Sequence, residues 1–360
     1  MHWLRRHLGT LILALLLVGI PLASPSNYVY DLAIRIGINA VVAIGLNLLF
    51  GYAGQVSLGH AAFFGCGAYA SAVLTTHFGW PPLAALAAGA VATGVLALAI
   101  ARPILRLTGH HLAMATLALG LIATIVFNNE TRWTGGSDGM PVPPFGVLGW
   151  TIDTDAGWYA IVAICLLGVT IAARNLADSP AGRALQAVRD SEIAARVAGI
   201  DARDLKTRVF VLSAVLASLM GSVTAHYTMF LTPAAAGLGR SIEYLMMVVV
   251  GGMASVHGSI VGAALITLLP QALQSVEQWE TLVFGLILTA VMIFLRHGIV
   301  PTLARRFASR GAAAQAANTQ AVADTQVADA RVADARVADA QAVANSRAAG
   351  GNATSHGRPL

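Results

Sequence analysis

Long unbroken apolar runs restrict what this chain can fold into. Ten are read, at roughly 8–24, 29–50, 55–77, 82–101, 111–128, 157–173, 207–230, 242–257, 259–275 and 281–295. Runs of about 16–22 residues have the length a helix needs to cross a hydrocarbon core. Inside lipid only helices and closed barrels satisfy their own backbone groups. The runs are continuous rather than alternating, so each is predicted to be a helix. Composition agrees. The chain is 57% hydrophobic and 11% charged, against about 25% charged for a soluble domain. The expected fold is all-α, a polytopic transmembrane helical bundle of about ten spans (eight to ten).

Basic residues orient the bundle. With the N-terminus inside, Arg5, Arg6, Arg102, Arg106, the seven between Arg174 and Arg208, and the eight from Arg296 onward fall inside. Those 2 + 2 + 7 + 8 residues make 19 of the 22 Lys and Arg. Arg132 and Arg240 fall outside and Arg35 within a span. This asymmetry is the positive-inside rule and places both termini in the cytoplasm. It also accounts for the net charge of +5 without nucleic acid; the surface partner is membrane lipid. Residues 1–28 carry two readings, a first span or a signal-like anchor with a cleavage site after Pro21-Leu22-Ala23. Either leaves the remaining orientation unchanged. Residues 301–360 are Ala-rich and low in complexity. Val322, Val327, Val332 and Val337 recur every five residues, about 140° apart on a helix, so they make no single face. A mobile cytoplasmic tail is expected there.

Several chemistries are excluded. The one lysine, Lys206, follows Asp-Leu and precedes Thr; a P-loop needs it after glycine. No nucleotide-binding domain is visible, so any ATP is used by a partner, and no cofactor is expected on this chain. His60, His226, His257 and the pair His110-His111 lack metal-ligand spacing. Cys66 and Cys165 sit in apolar runs and read as small core residues. No nucleophile triad appears, so the chain is not read as an enzyme.

The inner loop 179–208 carries the most information. Ser179-Pro180 starts a helix, predicted to run to about Val188. Ser191 can cap a second, short helix from Glu192 to Ala198 that ends at Gly199. Glu192 and Arg196 are spaced to pair, and Ile193 and Val197 share a face. Asp201 can cap the next span. The loop therefore presents a short amphipathic helix held at both ends by membrane helices. A motor subunit could grip such an element; an ordinary charged inner loop is the alternative.

Polar groups in spans are the other candidates. Gln55, Ser57 and His60 lie near the start of the third span, among Gly51, Gly54, Gly59, Gly65 and Gly67. Two readings stand: a translocation-path element with broken backbone, or interhelical hydrogen bonding. Asn39 and Asn47 are read as interhelical hydrogen-bonding groups. Arg35 is read as pairing locally with Asp31. Outside, Gly135, Gly136, Ser137, Asp138 and Gly139 read as a tight turn with an exposed carboxylate, which touches an outer partner or bound substrate, or only shapes the loop.

These residues also carry a resemblance. Glu192-Ile193-Ala194-Ala195 with Gly199 resembles the EAA-type loop of ABC importer permeases, although the Glu stands one residue early and the downstream Ile-x-Leu-Pro element is absent. NLLFGYAGQVSLGHAAFF at 47–64, GGSDGM at 135–140, AVRDSEIAA at 187–195, LMMVVVGG at 245–252 and HGSIVGA at 257–263 resemble the branched-chain amino acid permease family, LivM-type branch. Ala254 stands where a glycine is usual and Ser259 where the family often has proline. The resemblance covers roughly residues 30–300, making 29–300 an ABC permease domain. It implies a bacterial inner-membrane importer subunit whose partners are a LivH-type second permease, two ATP-binding cassette subunits and an extracytoplasmic substrate-binding protein. On this reading Glu192, Ala194, Ala195, Arg196 and Gly199 form a cytoplasmic coupling helix. A urea or short-chain amide permease keeps the architecture and changes the cargo. An ATP-independent channel or secondary transporter is a different class, against which the shortage of intramembrane acids weighs.

Overall fold

The structure is a computed structural model that describes residues 2–23, 26–105, 107, 109–147, 150–152, 154–273, 285–286, 289 and 298–302. These fall in the compact unit Met1–Thr302. The tail beyond it, and the tenth apolar segment apart from 285, 286 and 289, lie outside the described residues.

Helices dominate: α1 (His2–Ala23), α2 (Asn27–Asn47), a π-helical turn (Leu48–Tyr52), α3 (His60–Phe78), α4 (Pro82–Ile104), α5 (His110–Asn129), α6 (Thr131–Thr134), α7 (Asp155–Asp178), α8 (Pro180–Asp190), α9 (Glu192–Val197), α10 (Ala202–Thr228), α11 (Leu238–Gly251) and α12 (Val256–Leu273). Strands are two-residue pieces near the outer loops; β1 (Met140–Pro141) pairs antiparallel with β4 (Phe230–Leu231), and β2 (Gly146–Val147) with β3 (Trp150–Thr151). Among the described residues, five helices are long and apolar enough to cross a membrane: α2 with its π turn, α4, α5, α7 and α10.

Two layers of the pattern follow from the residues. α2 and α10 are largely buried, with Ile34, Ile44, Leu46, Phe210, Ala217 and Met220 in the core. α4 and α5 leave Val91, Val95, Met114 and Ile122 exposed, the faces a bilayer would cover. α3 and α10 lie parallel. A side chain at Gly67 or Gly221 would strike the backbone of the opposite helix, so glycine sets their approach. α1 packs on α7, where the Tyr159 hydroxyl donates to Leu17 O at 2.6 Å.

Two places depart from a simple stack of spans. Between the π turn and α3, residues 53–59 are not helical. Further on, β4 and a 3₁₀ turn (Pro233–Ala236) precede α11, which has only 14 residues. That is about 21 Å, short of a hydrocarbon core of about 30 Å. The break between α11 and α12 falls at 252–255, several residues before the boundary near 258 that the apolar runs suggested.

Arg240 is a correction to the charge count. It does not lie on an outer loop. Its Nη2 donates at 3.0 Å to Asn39 Oδ1, about 18 Å along α2 from Asn27. The connection 229–237 folds inward against α3 and α5, through Gly65 against Ala236 and the Thr124 hydroxyl donating to Ala236 O at 3.2 Å. α11 therefore begins well inside the bundle. A charge count along the chain cannot see that descent.

Candidate functional site

The helices of the 179–208 loop form where their caps dictate. Ser179 Oγ accepts from Gly182 N at 3.2 Å and starts α8; Ser191 Oγ accepts from Ala194 N at 3.3 Å and starts α9. Asp201 Oδ1 accepts from Arg203 N and Asp204 N at 3.1 and 3.2 Å and starts α10. Each hydroxyl or carboxylate satisfies an N–H that has no partner in the first helical turn. Gly199 takes φ +82°, ending the short helix with a turn that L side chains rarely adopt.

α9 is fixed on one side and bare on the other. Ala195 is buried with Val188 and Ala202. Ile193 and Val197 are 79% and 85% exposed. Glu192 is the hub: Oε1 accepts from Arg196 Nη2 at 2.6 Å and Oε2 from Lys206 Nζ at 2.6 Å. The Lys206 hydrogen bond, first, and the Arg196 contact hold the Glu192 carboxyl below its usual range. Lys206 belongs to α10, so the ion pair ties α9 to the next span. The spacing of the sequence revealed the Arg196 partner and missed Lys206. Its being the chain's one lysine was the available signal.

α8 reaches the broken segment. Arg189 Nη1 donates to Gly51 O at 2.8 Å, and a Cβ at Gly54 (φ +69°) would lie 2.9 Å from the Arg189 side chain. Beyond this contact the chain runs 53–59 into α3. Gln55, Ser57 and His60 are all buried. His60 Nε2 and Ser213 Oγ are 3.0 Å apart. Gln55 Oε1, Ser57 Oγ and His60 Nδ1 have no protein partner among the described residues. The arrangement is one interhelical hydrogen bond at His60, with two unpaired buried polar atoms on the non-helical run and one on the first residue of α3.

The same end of the bundle holds the α11–α12 turn. Asn47 Nδ2 donates to Ser259 Oγ at 2.7 Å and Ser255 O at 2.9 Å, and Asn47 Oδ1 accepts from Ala254 N at 2.9 Å. Asn39 Nδ2 donates to Thr267 Oγ1 at 3.0 Å. Both asparagines join helices, as expected. Ala254 takes φ +58°, a left-handed conformation that explains why glycine is usual there. Ser259, in place of proline, supplies an acceptor to Asn47.

In the loop after α6, Gly135, Gly136 and Gly139 take φ of +76°, +66° and +79° around a 3₁₀ turn (Gly136–Asp138). A side chain at Gly139 would strike Leu231 O, so the turn seats β1 on β4. Ser137 and Asp138 are exposed. Arg35 Nε and Asp31 Oδ2 pair at 2.9 Å, and Asp31 also accepts from the Tyr227 hydroxyl at 2.6 Å.

The family described as branched-chain amino acid transport system / permease component matches residues 28–295. The chain belongs to that family. This permease is 29% identical over 311 residues to the high-affinity branched-chain amino acid transport system permease protein LivM of Escherichia coli, covering 79% of this chain and 72% of that protein. The LivM protein of Salmonella typhimurium is 30% identical over 302 residues, 75% and 69% of the two chains. Its similarity extends to the ribose import permease protein RbsC of E. coli, 26% identical over 72% of this chain and 82% of that one. No solved structure matches. The chain is thus a multi-pass, all-α membrane permease, similar to permease proteins rather than to enzymes.

Proposed function

We infer that this permease is the membrane subunit of an ATP-binding cassette importer for branched-chain amino acids. It forms half of the translocation path beside a LivH-type second permease. Two ATP-binding cassette subunits on the cytoplasmic face hydrolyse ATP, and an extracytoplasmic binding protein delivers the substrate. The chain lies in the bacterial inner membrane with both termini inside and binds no cofactor itself.

The observation that carries this reading is α9. Two large apolar side chains, Ile193 and Val197, stand in the open on a helix pinned to α10 by Glu192 and Lys206. Exposed apolar groups on a rigid, charged inner surface suit a groove on a motor subunit. Movement of α8 and α9 would reach the 53–59 segment through Arg189 and Gly51. Unpaired polar atoms on Gln55, Ser57 and His60 support a segment that lines the path in another state, where water or substrate satisfies them. The turn 135–139, with Asp138 exposed, is the candidate contact for the binding protein.

Co-purification tests this. Tagged permease should bring down a second permease and an ATPase in a stable complex, and Ile193→Asp with Val197→Asp should lose the ATPase alone. Isolation as a lone chain that still moves leucine down its gradient would favour the channel reading. A urea or amide cargo would show in the ligand of the binding protein, not in this subunit.

A further inference from the structure

Charged side chains gather at one cavity between helices that the coupling mechanism does not use. Arg35, Asn39, Arg240, Glu243, Thr267 and Gln271 line a cavity of about 250 Å³ between α2, α11 and α12. That is near the low end of small-molecule pockets, roughly 300–1,000 Å³, and suits one small solute. Arg240 Nη1 donates to Glu243 Oε2 at 2.7 Å, and Arg240 Nη2 to Asn39 Oδ1 at 3.0 Å. On the side of α11 that faces the core, Tyr244 and Met247 are buried. The pair itself is not, with side chains 32% and 42% exposed.

Intramembrane charges are costly and rarely face lipid; they face a cavity or a partner and mark a pathway. A pair that only fastened α11 to α2 would be closed off as Tyr244 is. Here a guanidinium and a carboxylate sit side by side on one helix turn and both open onto the same polar cavity. A solute carrying one negative and one positive charge a few bonds apart complements that arrangement.

We propose that the cavity between α2, α11 and α12 is a binding site for a zwitterionic amino acid, with Arg240 taking its carboxylate and Glu243 its ammonium. Asn39, Thr267 and Gln271 supply neutral hydrogen bonds, and the apolar side chain of the solute lies toward Met247 and Ile266. No bond is made or broken; the solute exchanges with the Arg240–Glu243 contact. This deepens the importer reading and rests on it.

Two measurements test the site. In the first, the complete transporter in proteoliposomes takes up radiolabelled leucine as wild type, Arg240→Gln and Glu243→Gln. Each variant should lose roughly tenfold or more in leucine carried per ATP, the cost of one charge-assisted contact, while binding-protein-stimulated ATP hydrolysis continues. Variants that carry leucine as wild type does overturn the site and leave the importer reading intact. A wild type that carries no leucine overturns both. In the second, needed if the variants fail to assemble, the wild-type complex in nanodiscs without binding protein is heated with leucine, 4-methylpentanoate or isoamylamine. Leucine alone should raise the unfolding midpoint. No shift with leucine, or an equal shift with either single-charge analogue, overturns the proposal.

Discussion

Arg189, near the end of α8, donates to the carbonyl of Gly51 at 2.8 Å across 138 residues of sequence. Gly51 lies in the π turn at the foot of α2, two residues before the non-helical run that carries Gln55 and Ser57. One hydrogen bond from a cation therefore joins the surface a motor would hold to the backbone that leaves helical form inside the bundle. Hydrogen bonds to charged groups contribute about 1.5–3 kcal/mol, enough to carry a displacement and too little to hold the fold alone.

Arg189→Ala should therefore leave assembly intact and reduce substrate carried per ATP by roughly tenfold, the rate equivalent of that contact. Arg189→Lys should recover part of it, since ammonium is a point donor without the guanidinium fork. Uptake and ATP hydrolysis measured on the same proteoliposomes give the ratio. Equal loss of both activities in Arg189→Ala would point to misfolding.

Glu192 and Lys206 form the second link, and charge exchange isolates it. Glu192→Lys should uncouple hydrolysis from uptake. Lys206→Glu should do the same, and the double exchange should restore coupling in part. Arg196→Glu should have a smaller effect, because Arg196 is 63% exposed and Lys206 15%, and exposed pairs contribute little.

The same pair fixes a pH dependence. The folded Glu192 carboxyl is held below its ordinary value, chiefly by Lys206. Its contribution is then fully present above the unfolded-state carboxylate value and fades as pH falls through the depressed folded one. Coupling through this contact should be constant from about pH 6 to 8, well above carboxylate titration near 4.3. A Glu192-dependent change within that window, comparing wild type with Glu192→Gln, would contradict the ion pair.

The α11–α12 turn gives a stability test. Ala254 holds a left-handed φ that costs an L residue roughly 1–2 kcal/mol, so Ala254→Gly should stabilise the protein by about 0.5–1 kcal/mol. Asn47→Ala removes the side-chain hydrogen bonds that hold that turn and should cost about 2–4 kcal/mol. Thermal unfolding of the purified complex reads both.

Local chemistry was legible in the sequence, and long-range geometry was not. The caps Ser179, Ser191 and Asp201 act within three residues of themselves, and all three start the helices their types predict. The glycines between Gly51 and Gly59 mark the broken segment because no other residue tolerates such close backbone. Arg35 finds Asp31 four residues away. By contrast, Arg189 and Gly51, Glu192 and Lys206, and Arg240 and Asn39 meet only through folding, and no spacing rule reaches them. Arg240 misled because a topological count assumes that each connection stays at the surface, whereas residues 229–237 fold inward.

In the proposed mechanism a separate motor drives this permease through α8 and α9. The most direct measurement is uptake of radiolabelled leucine into proteoliposomes holding both permeases and the binding protein, with and without the ATP-binding cassette subunits. The account predicts ATP-dependent accumulation only when those subunits are present, and its loss in Ile193→Asp/Val197→Asp. Accumulation without them, driven by an ion gradient, would contradict it.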